Sequence, residues 1–470
     1  MMKKSIQDIA PIAAFVVVAV TLPATLLVAT ASYGRCGAAA LKEGRLVDAG
    51  SCFDTAAHLS PWRDDLWERA ASAALASGDA PAALERMNHV RSRSLQGYLT
   101  AGAAYLRSDD PDMARQQYEQ ALSRYGPEAG PYAGLAAAYR QQGRPDHELE
   151  SLEAQIRWDP DAAGAHYRIG QLTFVASPDT ARAHLARAAA LDPSYSDAVE
   201  TLEAAAQLAS AQHDEAVRLV TFGRGFGLVE EWLLASDAFT AATVANPGNG
   251  EAWAWLGEAK YHLGLDGGPD LDRALSVSQD SATVRGLRGL YSLRAAQPED
   301  ALREFLLASA LEPGNSVWQA SIADAHAAAG DLQAALAAYQ RATELAPNDA
   351  RTWLLLSAFC AANGIFLEEI GLPAALTASK LDGDDPAIQD VLGWSYLLTG
   401  RLSLAEGALR TALAADPSYA QARLHLALTY SAQGRDADAR AELLYIIGTD
   451  PNSPAAEQAE LFLQQLAGSP

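Results

Sequence analysis

Cysteine is nearly missing: three in 470 residues, too few to build a disulfide-stapled fold. Basic residues are short as well, 35 against 58 acidic ones, for a formal net charge of −23. Nucleic acids are gripped by clustered Lys and Arg, so this balance argues against a DNA- or RNA-binding role. It reads instead as a solvated surface that keeps the chain soluble. Catalytic signatures are absent too. No two of the nine histidines stand at the short spacings that put two metal ligands on one helix face. His147-Glu148 has no second histidine nearby, no serine lies in a G-x-S-x-G elbow, and Glu368-Glu369 and Asp384-Asp385 are loop carboxylates most simply solvated. Gly223-Arg224-Gly225-Phe226-Gly227 lacks both the preceding strand and the G-x-G-x-x-G spacing of a phosphate cradle. No metal, no cofactor and no enzymatic activity is expected.

What is plentiful is apolar surface, 49% of residues, arranged with a long period. Residues 386–451 carry one pattern twice, head to tail. Leu392-Gly393, Tyr396, Gly400, Ala405, Leu409, Ala412 and Pro417 are followed by Leu426-Ala427, Tyr430, Gly434, Ala439, Leu443, Ile446 and Pro451. Leu392, Gly393 and Tyr396 fall at i, i+1 and i+4, one stripe of a helix. Gly400 ends that helix, because glycine takes the left-handed conformation without steric cost. Ala405, Leu409 and Ala412 stripe a second helix, and Gly393 and Ala405 are small enough to let the two axes approach closely. Pro417 stops the second helix. One such pair cannot bury its stripes, so neighbours must stack.

The pattern resembles the tetratricopeptide repeat, with a period of about 34 residues and the signature W-x2-L-G-x2-Y, A-x3-F, P. Further copies are marked by Gly37, Phe53 and Pro61; Trp67, Ala83 and Met87; Gly102, Ala114 and Tyr118; Leu135, Leu152 and Pro160, with Glu148 in place of an alanine; and Ile169, Leu185 and Pro193. A second series runs through Gly223, Phe239 and Pro247; Gly257 and Gly264; Gly289, Phe305 and Pro313; Gly330, Tyr339 and Pro347; and Trp353 and Gly364. The resemblance implies an all-α fold, a right-handed α–α superhelical solenoid of about twelve hairpins. The expected organisation is a first repeat block at residues 32–193, an unpaired junction helix at 194–215, a second block at 216–452 and a capping helix at 453–470.

Ahead of the repeats, no charge occurs between Asp8 and Arg35. Residues 9–31 are long and apolar enough for a transmembrane or signal-anchor helix, with residues 1–8 as a cytoplasmic tail. Lys3 and Lys4 favour a cytoplasmic N-terminus with the repeats on the extracytoplasmic side of the cytoplasmic membrane. Ala29-Thr30-Ala31 also fits a small-residue cleavage site, which would give a secreted form cleaved after Ala31. Cys36 and Cys52 fall one on each helix of the first hairpin, near one level, where a disulfide can form in an oxidising compartment. Packing as two small apolar residues is the alternative.

In this family the first helix of each pair lines an inner groove that grips partners. By register, the resemblance implies that the groove presents Leu99, Ala103, His166, Leu290, Asp390, Trp394, Leu424 and Leu428. Trp394 is the sharpest anchor, tryptophan being enriched at binding hot spots. An apolar groove in acidic surroundings suits protein or peptide partners with amphipathic or basic-apolar segments. The expected function is a non-enzymatic, membrane-anchored scaffold for assembly of a cell-envelope complex. Alternatives are a self-associating structural subunit, or an exported enzyme-associated subunit with a site built across repeats.

Overall fold

A computed structural model describes the backbone of residues 10–451 and 453–468 and the side chains of 25–451 and 453–466. Every regular element among them is helical, and the helices pack as successive antiparallel hairpins, the all-α stack that the periodicity implies. The chain divides into two compact units, Met1–Ala211 and Gln212–Pro470.

The first unit pairs α1 (Ala10–Lys42) with α2 (Leu46–Leu59), α3 (Asp64–Ala76) with α4 (Ala80–Met87), and α5 (Leu95–Arg107) with α6 (Pro111–Tyr125). It continues with α7 (Ala129–Gln141) on α8 (Pro145–Trp158) and α9 (Ala163–Thr173) on α10 (Pro178–Leu191). A 3-10 turn at Pro193–Tyr195 leads to α11 (Ser196–Ser210), which leans on α10.

The second unit pairs α12 (Glu215–Leu228) with α13 (Trp232–Ala245), α14 (Gly250–His262) with α15 (Gly268–Val277), and α16 (Ala282–Arg294) with α17 (Pro298–Leu311). Next come α18 (Ser316–Ala328) with α19 (Leu332–Leu345) and α20 (Ala350–Asn363) with α21 (Leu372–Leu381). The last pairs are α22 (Pro386–Leu398) with α23 (Leu402–Ala415) and α24 (Ala420–Ala432) with α25 (Asp436–Thr449); α26 (Pro454–Gly468) closes on α25.

Three recurrent contacts explain the spacing. First, a large side chain of the second helix lies flat on a glycine of the first: Phe53 on Gly37, Tyr118 on Gly102, Phe239 on Gly223, Phe305 on Gly289, Leu409 on Gly393. A Cβ on Gly102 would stand 2.4 Å from the Tyr118 ring, so the close approach requires glycine. Second, the turn between the two helices passes through the left-handed region, as at Gly400 (φ +73°). Asp109, Glu230 and Ala296 make the same bend without glycine, at a cost of about 1–2 kcal/mol each for a side chain in that region.

The third contact joins one hairpin to the next. In several first helices an early side chain binds the carbonyl of the proline six residues back. Trp67 Nε1 donates to Pro61 O at 3.3 Å, Trp253 to Pro247 at 3.0 Å and Trp353 to Pro347 at 2.9 Å. Arg423 does the same to Pro417 at 2.8 Å. The proline that stops one hairpin thus supplies the acceptor that docks the next. The pattern's tryptophan and proline are two ends of one hydrogen bond.

The irregular copies have local explanations. Glu148, where an alanine belongs, is buried and binds Arg168 of α9 through both oxygens, at 2.6 and 3.1 Å. The lengthened repeat IFLEEIGLP folds as a π-helical turn, Leu367–Gly371, entered through Phe366 at φ +47°.

α1 runs unbroken from Ala10 to Lys42, so no boundary in it separates the apolar run from the first repeat. Within it, Thr30 is buried and its Oγ1 lies 2.8 Å from Ser60 Oγ. Residues 1–8, and the side chains of the apolar run up to residue 24, lie outside the described residues. Among the described residues no helix is long and apolar enough to cross a membrane. Cys36 on α1 is bonded to Cys52 on α2, their Cα atoms 5.9 Å apart. Cys360 is buried in α20, and burial pushes its thiol up to about 11, the behaviour of an inert core cysteine.

Candidate functional site

The small residue that receives the second helix also sets the register of the inner face. The residue three before it and the residue just after it are four apart, hence on one stripe. Leu99 and Ala103 flank Gly102 in this way, Asp390 and Trp394 flank Gly393, Leu424 and Leu428 flank Ala427, and Leu290 follows Gly289.

In the first unit the stripe borders an open cleft of about 400 Å³. Leu75 and Ala76 of α3, Leu99, Thr100 and Ala103 of α5, and Gly130 and Gly134 of α7 form its walls, with Tyr118 as the floor. The two α7 glycines make the room. A Cβ on Gly130 would stand 3.1 Å from Leu99, and one on Gly134 would strike the Tyr118 ring at 2.3 Å. Arg107 closes one end, where its guanidinium donates to the Leu75 carbonyl at the C-terminal turn of α3. Burial pushes the Tyr118 phenol up to about 12, so the floor carries no charge at neutral pH. Ser72 and Gln96 also line it, so such a cleft takes apolar side chains beside a few neutral hydrogen-bonding groups.

In the second unit Leu354 of α20 borders another open cleft of about 400 Å³, but at α22 and α24 the same stripe is filled. Asp390 is only 2% exposed, and His425 Nδ1 donates to its Oδ1 at 2.7 Å. With that proton on Nδ1, His425 Nε2 accepts from Gln421 Nε2 at 3.1 Å. The Trp394 ring stacks on His425, centroids 4.8 Å apart and planes 15° apart. Leu424 is buried in the core beside Leu426 and Tyr430. Leu428 is half-buried, and Leu290 packs against core residues of its own repeat and the next.

Several expected groove residues are therefore corrected. Asp390 and Leu424 are interior, not presented, because a carboxylate on an apolar stripe must find a partner and the leucine joins the core that α23 to α26 share. Trp394 is half-buried against His425 rather than standing free. His166 is misplaced by one residue, lying four before Gly170 where Leu99 lies three before Gly102. One residue turns a helix by about 100°, which sends His166 to the docking position. There its Nε2 meets Pro160 O at 3.0 Å and its Nδ1 meets His184 at 2.9 Å. Burial, then the neighbouring His166, hold the His184 imidazole below its usual range. Of the eight, Leu99 and Ala103 line the open cleft.

Sequence reasoning missed His425, Tyr118 and the glycine pair of α7. The signal for His425 was Asp390 itself, an acid on an apolar stripe that demands a donor one repeat onward. Gly223 to Gly227 lie inside α12 and form no loop. Among the described residues no three His, Cys, Asp or Glu side chains are grouped to hold a metal ion.

Residues 391–454 match a family model described as Tetratricopeptide repeat, and residues 316–359 match a second model of the same description. No curated protein matches the chain. Among solved structures it is similar to yeast Tom70, at 14% identity over 93% of this chain and 95% of that one, TM-score 0.43. It is similar to the APC/C hetero-tetramer Cut9–Hcn1 at 14% identity over 86% and 97%, TM-score 0.40. MamA from Desulfovibrio magneticus RS-1 is similar at 19% identity over 37% of this chain and 97% of that one, TM-score 0.33. Residues 316–359 and 391–454 thus carry tetratricopeptide repeats, and the rest of the described chain is built of helical hairpins packed in the same way.

Proposed function

We propose that this protein is a non-enzymatic scaffold, tethered to the cytoplasmic membrane by residues 9–31, whose repeats gather protein partners on the extracytoplasmic side in assembly of a cell-envelope complex. Tetratricopeptide-repeat proteins are usually scaffolds with protein or peptide partners. The observation that carries the reading here is the cleft of α3, α5 and α7, an open, mostly apolar surface with an uncharged floor on an acidic protein. That combination suits an amphipathic or basic-apolar segment, with apolar side chains in the cleft and basic ones toward the acidic surroundings.

The tether is supported by the uncharged run from residue 9 to residue 34. Its retention is supported by Thr30, because cleavage after Ala31 would remove the buried hydroxyl that meets Ser60. The Cys36–Cys52 bond supports an oxidising compartment. A photo-crosslinking amino acid at Leu99 should give partner adducts in cells, whereas one at exposed Val47 should not. No adduct at Leu99 would remove the reading. Membrane sidedness is read by protease protection: digestion of the repeats from the cytoplasmic side would invert the orientation.

A further inference from the structure

A second, smaller cavity lies in the second unit, beside Arg224, which follows Gly223 as Ala103 follows Gly102. It holds about 150 Å³ and is lined by Arg224, Gly227 and Leu228 of α12, Trp232 and Phe239 of α13, and Trp255 of α14. Its walls are fixed. Trp232 stacks face to face on His262, centroids 3.7 Å apart, and Phe239 is fully buried with its ring 6.1 Å from that of Trp255. Gly227 keeps the space open, since a Cβ there would come within 3.1 Å of Trp232. An apolar cavity of about this volume accepts a benzene-sized group. At the rim Leu228 is 75% exposed, an apolar lip with nothing on it.

The polar groups at this cavity are all donors. Trp255 Nε1 is buried and makes no hydrogen bond, although buried donors are ordinarily paired and an indole can only donate. The Arg224 guanidinium lies 5.3 Å from the centre of the Trp255 ring. It is exposed and, among the described residues, takes part in no ion pair, on a chain whose acids outnumber its bases. Aromatic boxes commonly receive quaternary ammonium groups, but a cation here would face a guanidinium. One unpaired buried donor and one exposed cation beside an apolar hole call for a ligand with an apolar group, a neutral acceptor and an anion in that order outward.

We propose that this cavity anchors one apolar side chain of a partner segment, whose own carbonyl accepts from Trp255 Nε1 and whose next residue is acidic and pairs with Arg224. The inference rests on the scaffold reading and names the chemistry of a second contact point. The test is titration of the full chain, labelled at its indole nitrogens, with acetyl-Ala-Leu-Asp-Ala-amide and its Asn counterpart. The Trp255 resonance, assigned by Trp255→Phe, should move downfield and saturate with the Asp peptide. The Asn peptide should bind about threefold more weakly, the share of an exposed ion pair. Arg224→Gln should erase that difference, and Trp255→Phe should weaken both peptides. Arg224 is exposed, and Trp255→Phe keeps the aromatic wall while removing an unpaired donor, so unchanged thermal melting is expected of both variants. A Trp255 signal that stays still, or a preference for Asp that survives Arg224→Gln, overturns the inference. Adducts at Leu99 together with a still Trp255 signal would sink this site alone. Absence of those adducts would sink the scaffold reading on which it rests.

Discussion

Leu99 in the first unit and Asp390 in the second occupy the same place in their repeats, three residues before Gly102 and Gly393. Around Leu99 the next first helix presents Gly130 and Gly134, and the space in front stays open. Around Asp390 the next first helix presents His425, which takes the carboxylate by hydrogen bond and the Trp394 ring by stacking. The fold is the same in both places and the backbone register is the same. Whether the inner face is a cleft or a sealed seam is decided by the residue that the following helix brings opposite.

If the seam is sealed as described, breaking it should be the most damaging change in the comparison. His425→Ala leaves the Asp390 carboxylate buried without a partner, which costs about 3–5 kcal/mol when a buried polar pair loses one member. Denaturant unfolding should show that loss. One below about 1 kcal/mol would mean that water reaches Asp390 and that the two faces are alike. Next in size is the pair Trp394→Ala and Leu99→Ala. The first removes a stacked, half-buried ring and should cost roughly 2 kcal/mol, less than the core values for tryptophan. The second trims the wall of an existing cleft and should cost about 1 kcal/mol or less, while lowering partner capture. Equal losses of stability at the two sites would remove the distinction between them.

Much of this architecture was legible because it is written in residues whose chemistry allows few alternatives. Gly102, Gly289 and Gly393 mark where a side chain of the second helix must lie against the backbone, and Pro61, Pro247 and Pro347 mark where each hairpin ends. The inner face was less legible for two physical reasons. In the fifth repeat His166 lies one residue off the groove stripe and belongs to the docking bond with Pro160. Elsewhere the pattern of one helix does not show what faces it: Asp390 and His425 are 35 residues apart and only stacking brings them together. Glu148 and Arg168 carry the same lesson at a separation of 20. A charged residue in an apolar stripe announces a partner, but the period alone does not say on which helix.

The docking bond itself should not distinguish the two units, which makes it a control on the comparison. Trp67→Phe in the first unit and Trp353→Phe in the second each remove one donor to a proline carbonyl while keeping an aromatic ring. Each should cost about 1 kcal/mol, the net value of one hydrogen bond. Similar losses would confine the difference to the inner face at the two places compared, Leu99 and Asp390. A loss in one unit alone would show that the hairpin-to-hairpin joint differs as well.

The smallest expected effect concerns Asp324, which follows Ala323 just as Ala103 follows Gly102 and Trp394 follows Gly393. Tyr339 of α19 donates its hydroxyl to this carboxylate. Burial raises the Asp324 carboxyl above its ordinary value of 3.8, and the Tyr339 bond opposes that shift without cancelling it. A carboxyl raised in the folded state holds its proton more tightly there than in the unfolded chain. Stability therefore falls as pH rises from 3.8 through the folded-state value, and the deficit persists at neutral pH. Asp324→Asn keeps an acceptor for Tyr339 and removes the charge, so it should stabilise the protein at pH 7. The gain should be about 0.5 kcal/mol or less, because the residue is exposed enough for water to screen the effect. Urea unfolding of both proteins from pH 7 down to pH 4 should show the two curves converging as the wild-type carboxyl takes up its proton. A variant less stable than wild type at pH 7 would mean that the charged form is favoured here, and that this acid belongs with Asp390 among those the seam holds rather than with the groups facing open space.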